Sequence, residues 1–188
     1  MSSPTELDGP LEPGAMKRRL LVVLTIVLAV VAIDWLTKRY AEANLQETSY
    51  VPQEYLGDFF RIQYAENTGA FLGMGGDWSK LSRFLVFTAA TSLFLVFVAY
   101  STLRQKHIDR SELIAVSLII GGGIGNLIDR MLRPNGAVVD FMNMGIGDFR
   151  TGIFNVADVA LTAGVLIWLL PLGSKQENGS AETPEPTA

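Results

Sequence analysis

The 188-residue chain contains no cysteine and a single histidine, His107. The first absence removes disulfides, thiol nucleophiles, iron–sulfur clusters and cysteine-based zinc sites, and any lipid on a cysteine of the chain itself. The second leaves any Ser-His triad dependent on His107, so hydrolytic chemistry would fall to carboxylates, Lys, Ser or Thr. Charge is also scarce. Asp, Glu, Lys and Arg make up 18% of the residues, against about 25% in soluble domains. No basic stripe runs through the sequence, which argues against a nucleic-acid partner. The formal charge of −4 belongs to the ends: Glu6, Asp8 and Glu12 put −3 on residues 1–15, and Lys175 against Glu177, Glu182 and Glu185 puts −2 on 173–188, leaving a core near +1. Both ends are rich in Pro, Glu, Ser and Gly and are expected to be disordered. Residues 16–172 form the one domain.

What the chain has is apolar length: 49% hydrophobic residues and a mean hydropathy of +0.30. Leu20–Ile33 is an uncharged run behind Lys17, Arg18 and Arg19. Alone it could be a signal-peptide core, but further spans follow, so it reads as a signal anchor continuing toward Tyr40. Phe84–Leu103 gives 20 residues without a charge, the length that crosses a bilayer. Leu113–Ile128 and Ile153–Leu172 complete four spans. Basic residues precede span one, and Arg104, Lys106 and Arg110 lie between spans two and three. The positive-inside rule then puts both termini in the cytoplasm and residues 37–83 and 129–152 outside. Partial alternation at Phe60, Ile62 and Tyr64, bounded by turn residues, predicts a small extracytoplasmic sheet on the membrane surface.

Ionisable residues within membrane spans are costly and usually functional. Asp34 and Lys38 share a face at i,i+4 near the outer end of span one. Asn126, Asp129 and Arg130 end span three on one face. Asn155 and Asp158 fall in the first two turns of span four, and the apolar segment VVDFM brings Asp140 to the same depth. Asp34–Lys38 and Asp129–Arg130 could be ion pairs that hold the bundle. The glycines of GGGIG (Gly121–Gly125) suit close helix packing better than a phosphate loop, because no strand precedes them. His107, among Arg104, Lys106 and Arg110, reads as a solvated charge, and Asn178-Gly179-Ser180 as a chance sequon. Trp35, Trp78 and Trp168 fit interfacial anchoring.

Asp140 and Asp158 have no basic neighbour at helical spacing and stand in apolar sequence, AVVDFM and NVADVAL. At ~4 Å and an effective dielectric near 20, two such carboxylates repel by about 4 kcal/mol, or roughly three pKa units. One would then act as base and the other as acid near neutral pH. Such a pair activates water without Cys, His or a metal.

Five blocks in order, D-W-L-T-K (Asp34–Lys38), N-T-G-A (Asn67–Ala70), G-G-G-I-G-N-L-I-D-R (Gly121–Arg130), V-V-D-F (Val138–Phe141) and F-N-V-A-D (Phe154–Asp158), resemble the lipoprotein signal peptidase (signal peptidase II) family of bacterial inner-membrane aspartyl proteases. The resemblance covers residues 17–172. It implies a mainly α membrane fold, a four-transmembrane-helix bundle with a small extracytoplasmic β-sheet. It further implies endopeptidase cleavage of prolipoproteins just before the diacylglyceryl-modified cysteine, at the outer (periplasmic) face of the inner membrane. The catalytic dyad would be Asp140 and Asp158. Asp34, Lys38, Asn67, Gly69, Asn126, Asp129, Arg130 and Asn155 would bind substrate or support the site. Ala70-Phe71 stand where the family often has Ala-Ala, which affects one pocket wall. No cofactor and no metal are expected, the partners being lipid-modified substrates and the bilayer, and the protein is expected to be a monomer. A carboxylate-based proton or cation transporter is the alternative, though the acids lie at one face with none near the middle of span two. A scaffold whose aspartates serve only packing is a third reading.

Overall fold

A computed structural model describes residues 13–49, 51–69, 74–105 and 108–170. Nearly all of both polar ends, His107 and Ala70-Phe71 lie outside the described residues. The described residues form four helices and a four-stranded antiparallel sheet. The helices are α1 (Pro13–Leu45), α2 (Lys80–Arg104), α3 (Arg110–Leu132) and α4 (Val156–Leu169). Three of them are long and apolar enough to cross a membrane. The 14-residue α4 spans only about 21 Å.

Helix α1 is longer than its apolar run at both ends. It starts at Pro13, whose fixed φ suits a first helical turn, and so takes in the last residues of the expected N-terminal tail. At ~1.5 Å per residue it exceeds the ~30 Å hydrocarbon core. Its last turns leave that core and support the sheet: Ala41 and Leu45 pack with Tyr64, Val139 and Phe141 in one buried cluster. Ser79 caps the start of helix α2, its hydroxyl accepting the Ser82 N–H at 3.1 Å. It runs through a π-helical stretch at Phe84–Ala90. Most of its apolar side chains face outward, as expected where lipid is the solvent.

The sequence GGGIG is where three helices meet α3. A Cβ on Gly121 would strike Val30 of α1, on Gly122 the Ala157 carbonyl of α4, on Gly123 Leu95 of α2, and on Gly125 the Asp34 carboxylate. Gly164 of α4 returns the contact, meeting the Ala115 carbonyl of α3. The packing role expected of these glycines is what the structure shows, and it makes α3 the hub of the bundle.

The sheet has the order β1 (Gln53–Tyr55), β2 (Phe60–Asn67), β3 (Val138–Ile146), β4 (Phe149–Arg150). Alternation predicts only its first half. The VVDFM segment is strand β3 rather than loop, and alternation misses it because most of it is buried, so it reads as a continuous apolar run. Its register sets Asp140 opposite Ala65, and backbone bonds between Met142 and Phe154 at 2.8 and 2.9 Å join β3 to the segment leading into α4. Ile153 and Phe154 are therefore extended, and α4 begins three residues later than its apolar run.

Candidate active site

Asn155 is the N-cap of α4 rather than part of its first turn. Its side-chain oxygen accepts the Asp158 N–H at 3.0 Å, and an Asp158 oxygen accepts the Asn155 N–H at 3.1 Å, a reciprocal capping box. The cap fixes both side chains and leaves the Asn155 amide free to reach inward. Its Nδ2 donates to Asp140 Oδ1 at 2.7 Å and to Asn126 Oδ1 at 3.1 Å. Asp140 Oδ2 accepts from Asn67 Nδ2 at 3.0 Å, while Asp158 Oδ1 accepts from Asn126 Nδ2 at 2.8 Å. Asp140 and Asp158 thus face one set of three asparagines contributed by β2, α3 and the α4 cap. Burial, and then the nearby Asp158 charge, push the Asp140 carboxyl up to about 7.

A second cluster lies behind this one. Lys38, 3% exposed, bonds Asp34 Oδ2 at 2.7 Å, Asp129 Oδ2 at 3.1 Å and Asn126 Oδ1 at 3.0 Å. Asp34 Oδ1 accepts the Ala157 N–H at 2.9 Å, and Asp129 Oδ2 the Val139 N–H at 3.1 Å. One ammonium therefore ties α1 to α3, and its two carboxylate partners grip the starts of α4 and β3. Asn126 belongs to both clusters.

Asp129 and Arg130 do not pair with each other. Adjacent helical residues point about 100° apart, so Asp129 turns to Lys38 and Arg133, while Arg130 donates to the carbonyls of Gly69 at 2.6 Å and Gly136 at 3.2 Å. Gly69 enters the site through its backbone: its carbonyl accepts from Arg130, and its N–H donates to Asn67 Oδ1 at 3.0 Å. The Arg130 guanidinium also lies over the Phe87 ring, 5.1 Å from its centre. Arg133, absent from the residues singled out in the sequence, bonds Glu42 at 2.9 Å and Glu66 at 3.3 Å. The Asp129–Arg133 spacing of i,i+4 is the signal that marks it.

Asn67, Asn126, Arg130, Asp140 and Asp158 line one end of a cavity of about 770 Å³, whose other walls include Phe94, Leu95, Leu161 and Leu166. It lies beside α2, α3 and α4. Helix α3 packs extensively on α4, whereas α2 leans chiefly on α3, so the apolar end is bounded loosely. Polar groups at one end and hydrocarbon at the other suit an amphiphilic ligand. No group of three or more metal-ligating side chains occurs among the described residues.

Lipoprotein signal peptidases from Syntrophus aciditrophicus (30% identical, covering 88% of this chain and all of that one), Treponema pallidum (38%; 73% and 79%) and Xylella fastidiosa (36%; 88% and 94%) align with the chain. Two solved structures, each described as a bacterial membrane enzyme crystallised in meso, superpose with TM-scores of 0.69 and 0.65 at 29% and 30% identity. The first match covers 87% of this chain and 94% of the solved one, the second 78% and 88%. Residues 26–172 match the family described as signal peptidase (SPase) II, and the chain belongs to that family of membrane proteases.

Proposed function

We propose that this chain removes signal peptides from prolipoproteins as an aspartyl protease, cutting before the diacylglyceryl-modified cysteine at the outer face of the inner membrane. The observation that carries the reading is the meeting of Asp140 and Asp158 on Asn67, Asn126 and Asn155, at the polar end of a largely apolar cavity. Burial and the nearby Asp158 charge raise the Asp140 carboxyl to about 7, so it can carry a proton near neutral pH. Asp158 is the base. It takes a proton from a water whose oxygen attacks the scissile carbonyl carbon. The Asp140 hydroxyl donates a hydrogen bond to the oxygen on which charge develops. The proton gained by Asp158 then passes to the leaving nitrogen as the C–N bond breaks, giving a carboxylic acid on the released peptide and an amine on the lipidated cysteine, between which the acid proton then moves to leave a carboxylate and an ammonium. The asparagines orient both carboxyls without adding charge, so each can change protonation state cheaply.

The lipid chains of the substrate would occupy the apolar end of the cavity, placing the scissile bond at the dyad. Incubation of the purified protein with a diacylglyceryl-modified precursor peptide tests the reading. Two fragments are expected, one starting at the modified cysteine. An intact precursor, or a cut elsewhere, would overturn it.

A further inference from the structure

Arg130 lines a second cavity, of about 140 Å³, where the start of α2 meets the end of α3. Four cationic side chains surround it: Lys80 and Arg83 from α2, and Arg130 and Arg133 from α3. Arg133 is matched by Glu42 and Glu66, and the second oxygen of Glu66 accepts from Asn135 at 2.9 Å. The others are held differently. Arg83 donates to the Gly76 carbonyl at 3.0 Å, and Arg130 to the Gly69 and Gly136 carbonyls. Carbonyls fix a guanidinium in place without cancelling its charge. Among the described residues no carboxylate lies within ion-pair distance of Lys80 or Arg83. The nearest acids on the other side of Arg130, Asp140 and Asp158, belong to the larger cavity. A half-enclosed pocket with this excess of positive charge is built for an anion, and guanidinium forks match phosphate oxygens best.

Phe84 lines the same pocket and is 57% exposed, and Leu81 and Leu85 beside it also face outward. These three residues open the outward apolar surface of the 25-residue membrane helix α2. A phosphate carried on a lipid would sit in the pocket while its acyl chains followed that surface; a free phosphate would use only the cationic part. Basic pockets between membrane helices are a general headgroup-binding device. We propose that this pocket binds the phosphate of an anionic phospholipid, with Lys80 and Arg83 supplying the charge and Arg130 joining the headgroup site to the larger cavity.

The test compares association of spin-labelled phosphatidylglycerol and phosphatidylcholine with the full chain in mixed-lipid nanodiscs. The parent should enrich phosphatidylglycerol, and the preference should fall about fivefold for each charge lost in Lys80→Gln and Arg83→Gln. Lys80→Arg should retain it. Lys80 is exposed and its side chain bonds no other group among the described residues, so Lys80→Gln remains readable even if Arg83→Gln folds poorly. Equal association of the two lipids with the parent, or an unchanged preference in Lys80→Gln, would overturn the proposal. Loss of the enrichment in inorganic phosphate, beyond that caused by chloride at equal ionic strength, would assign the pocket to a free anion and overturn the lipid assignment.

Discussion

Two carboxylate pairs lie side by side in this bundle, and they are built in opposite ways. Asp34 and Asp129 share the ammonium of Lys38 at 2.7 and 3.1 Å, and each also accepts a backbone N–H that starts α4 or β3. Among the described residues, Asp140 and Asp158 receive bonds from amide groups alone: Asn67, Asn126 and Asn155 side chains and the Asn155 backbone. The first pair is charge-compensated, and a protonation change there would break the joint between three helices. The second is restrained in position by neutral groups, and among the described residues no cation lies within ion-pair distance of it. Charge pairing and neutral hydrogen bonding are thus assigned to different aspartates, with Asn126 bonding both groups.

The largest effect should separate the pairs by chemistry. Asp140→Asn and Asp158→Asn keep shape and relieve repulsion, so both variants should fold. Cleavage of a lipidated precursor should drop by more than the ~10²–10⁴-fold usual for one acid–base group, and the double variant should be little worse than either single one. Asp77→Asn and Asp148→Asn, outside both pairs, should cleave at the parental rate. Near-parental turnover in either dyad variant would erase the distinction between the two pairs.

The compensated pair should respond in stability instead. Lys38→Met leaves Asp34 and Asp129 buried without their cation, a loss of about 3–5 kcal/mol. Unfolding in denaturant should show it as a lowered midpoint, and the yield of folded protein should fall. If Lys38→Met unfolded like the parent while losing activity, Lys38 would belong with the dyad.

Much of this contrast is legible in the sequence. Asp34 and Lys38 at i,i+4, and the apolar settings of Asp140 and Asp158, mark one pair as ionic and the other as isolated. The three long membrane helices and the shorter apolar α4 are legible because lipid exposure demands long uncharged runs. What stays hidden depends on tertiary geometry. Asn155 as a cap requires knowing that Phe154 pairs with Met142 and so is not helical. Strand β3 is masked by burial. Sequence proximity sets Arg130 against the acid beside it, but its partners are carbonyls of residues far away in sequence or across a turn, which carry no side-chain signal.

A smaller effect concerns pH. The ordinary Asp carboxyl value of 3.8 rises to about 7 in folded Asp140, first through burial and then through Asp158. Between those values the folded chain binds a proton the unfolded one releases, so this group's contribution to stability is complete below pH ~4 and is lost as pH rises through ~7. A rise of that size corresponds to at most about 4 kcal/mol. Asp140→Asn should flatten that slope, so that it is more stable than the parent at pH 8 and gains nothing at pH 4. A parent whose unfolding midpoint stayed level from pH 4 to pH 8 would place Asp140 among the compensated acids.

The smallest effect is expected at Arg130, the cation lying between the two designs. Were it an ion-pair partner of Asp129, Arg130→Ala would cost as much as Lys38→Met. Its bonds go instead to the Gly69 and Gly136 carbonyls, and it is half-buried beside a cavity that water can enter. Orphaned carbonyls there can be rehydrated, which limits the loss to about 1–3 kcal/mol. Arg130→Lys keeps the charge but cannot span two carbonyls on different segments, so it should recover less than half of that loss. A denaturation midpoint for Arg130→Ala as low as that of Lys38→Met would mean that Arg130 is held by charge, and the compensated cluster would then extend to the wall of the larger cavity.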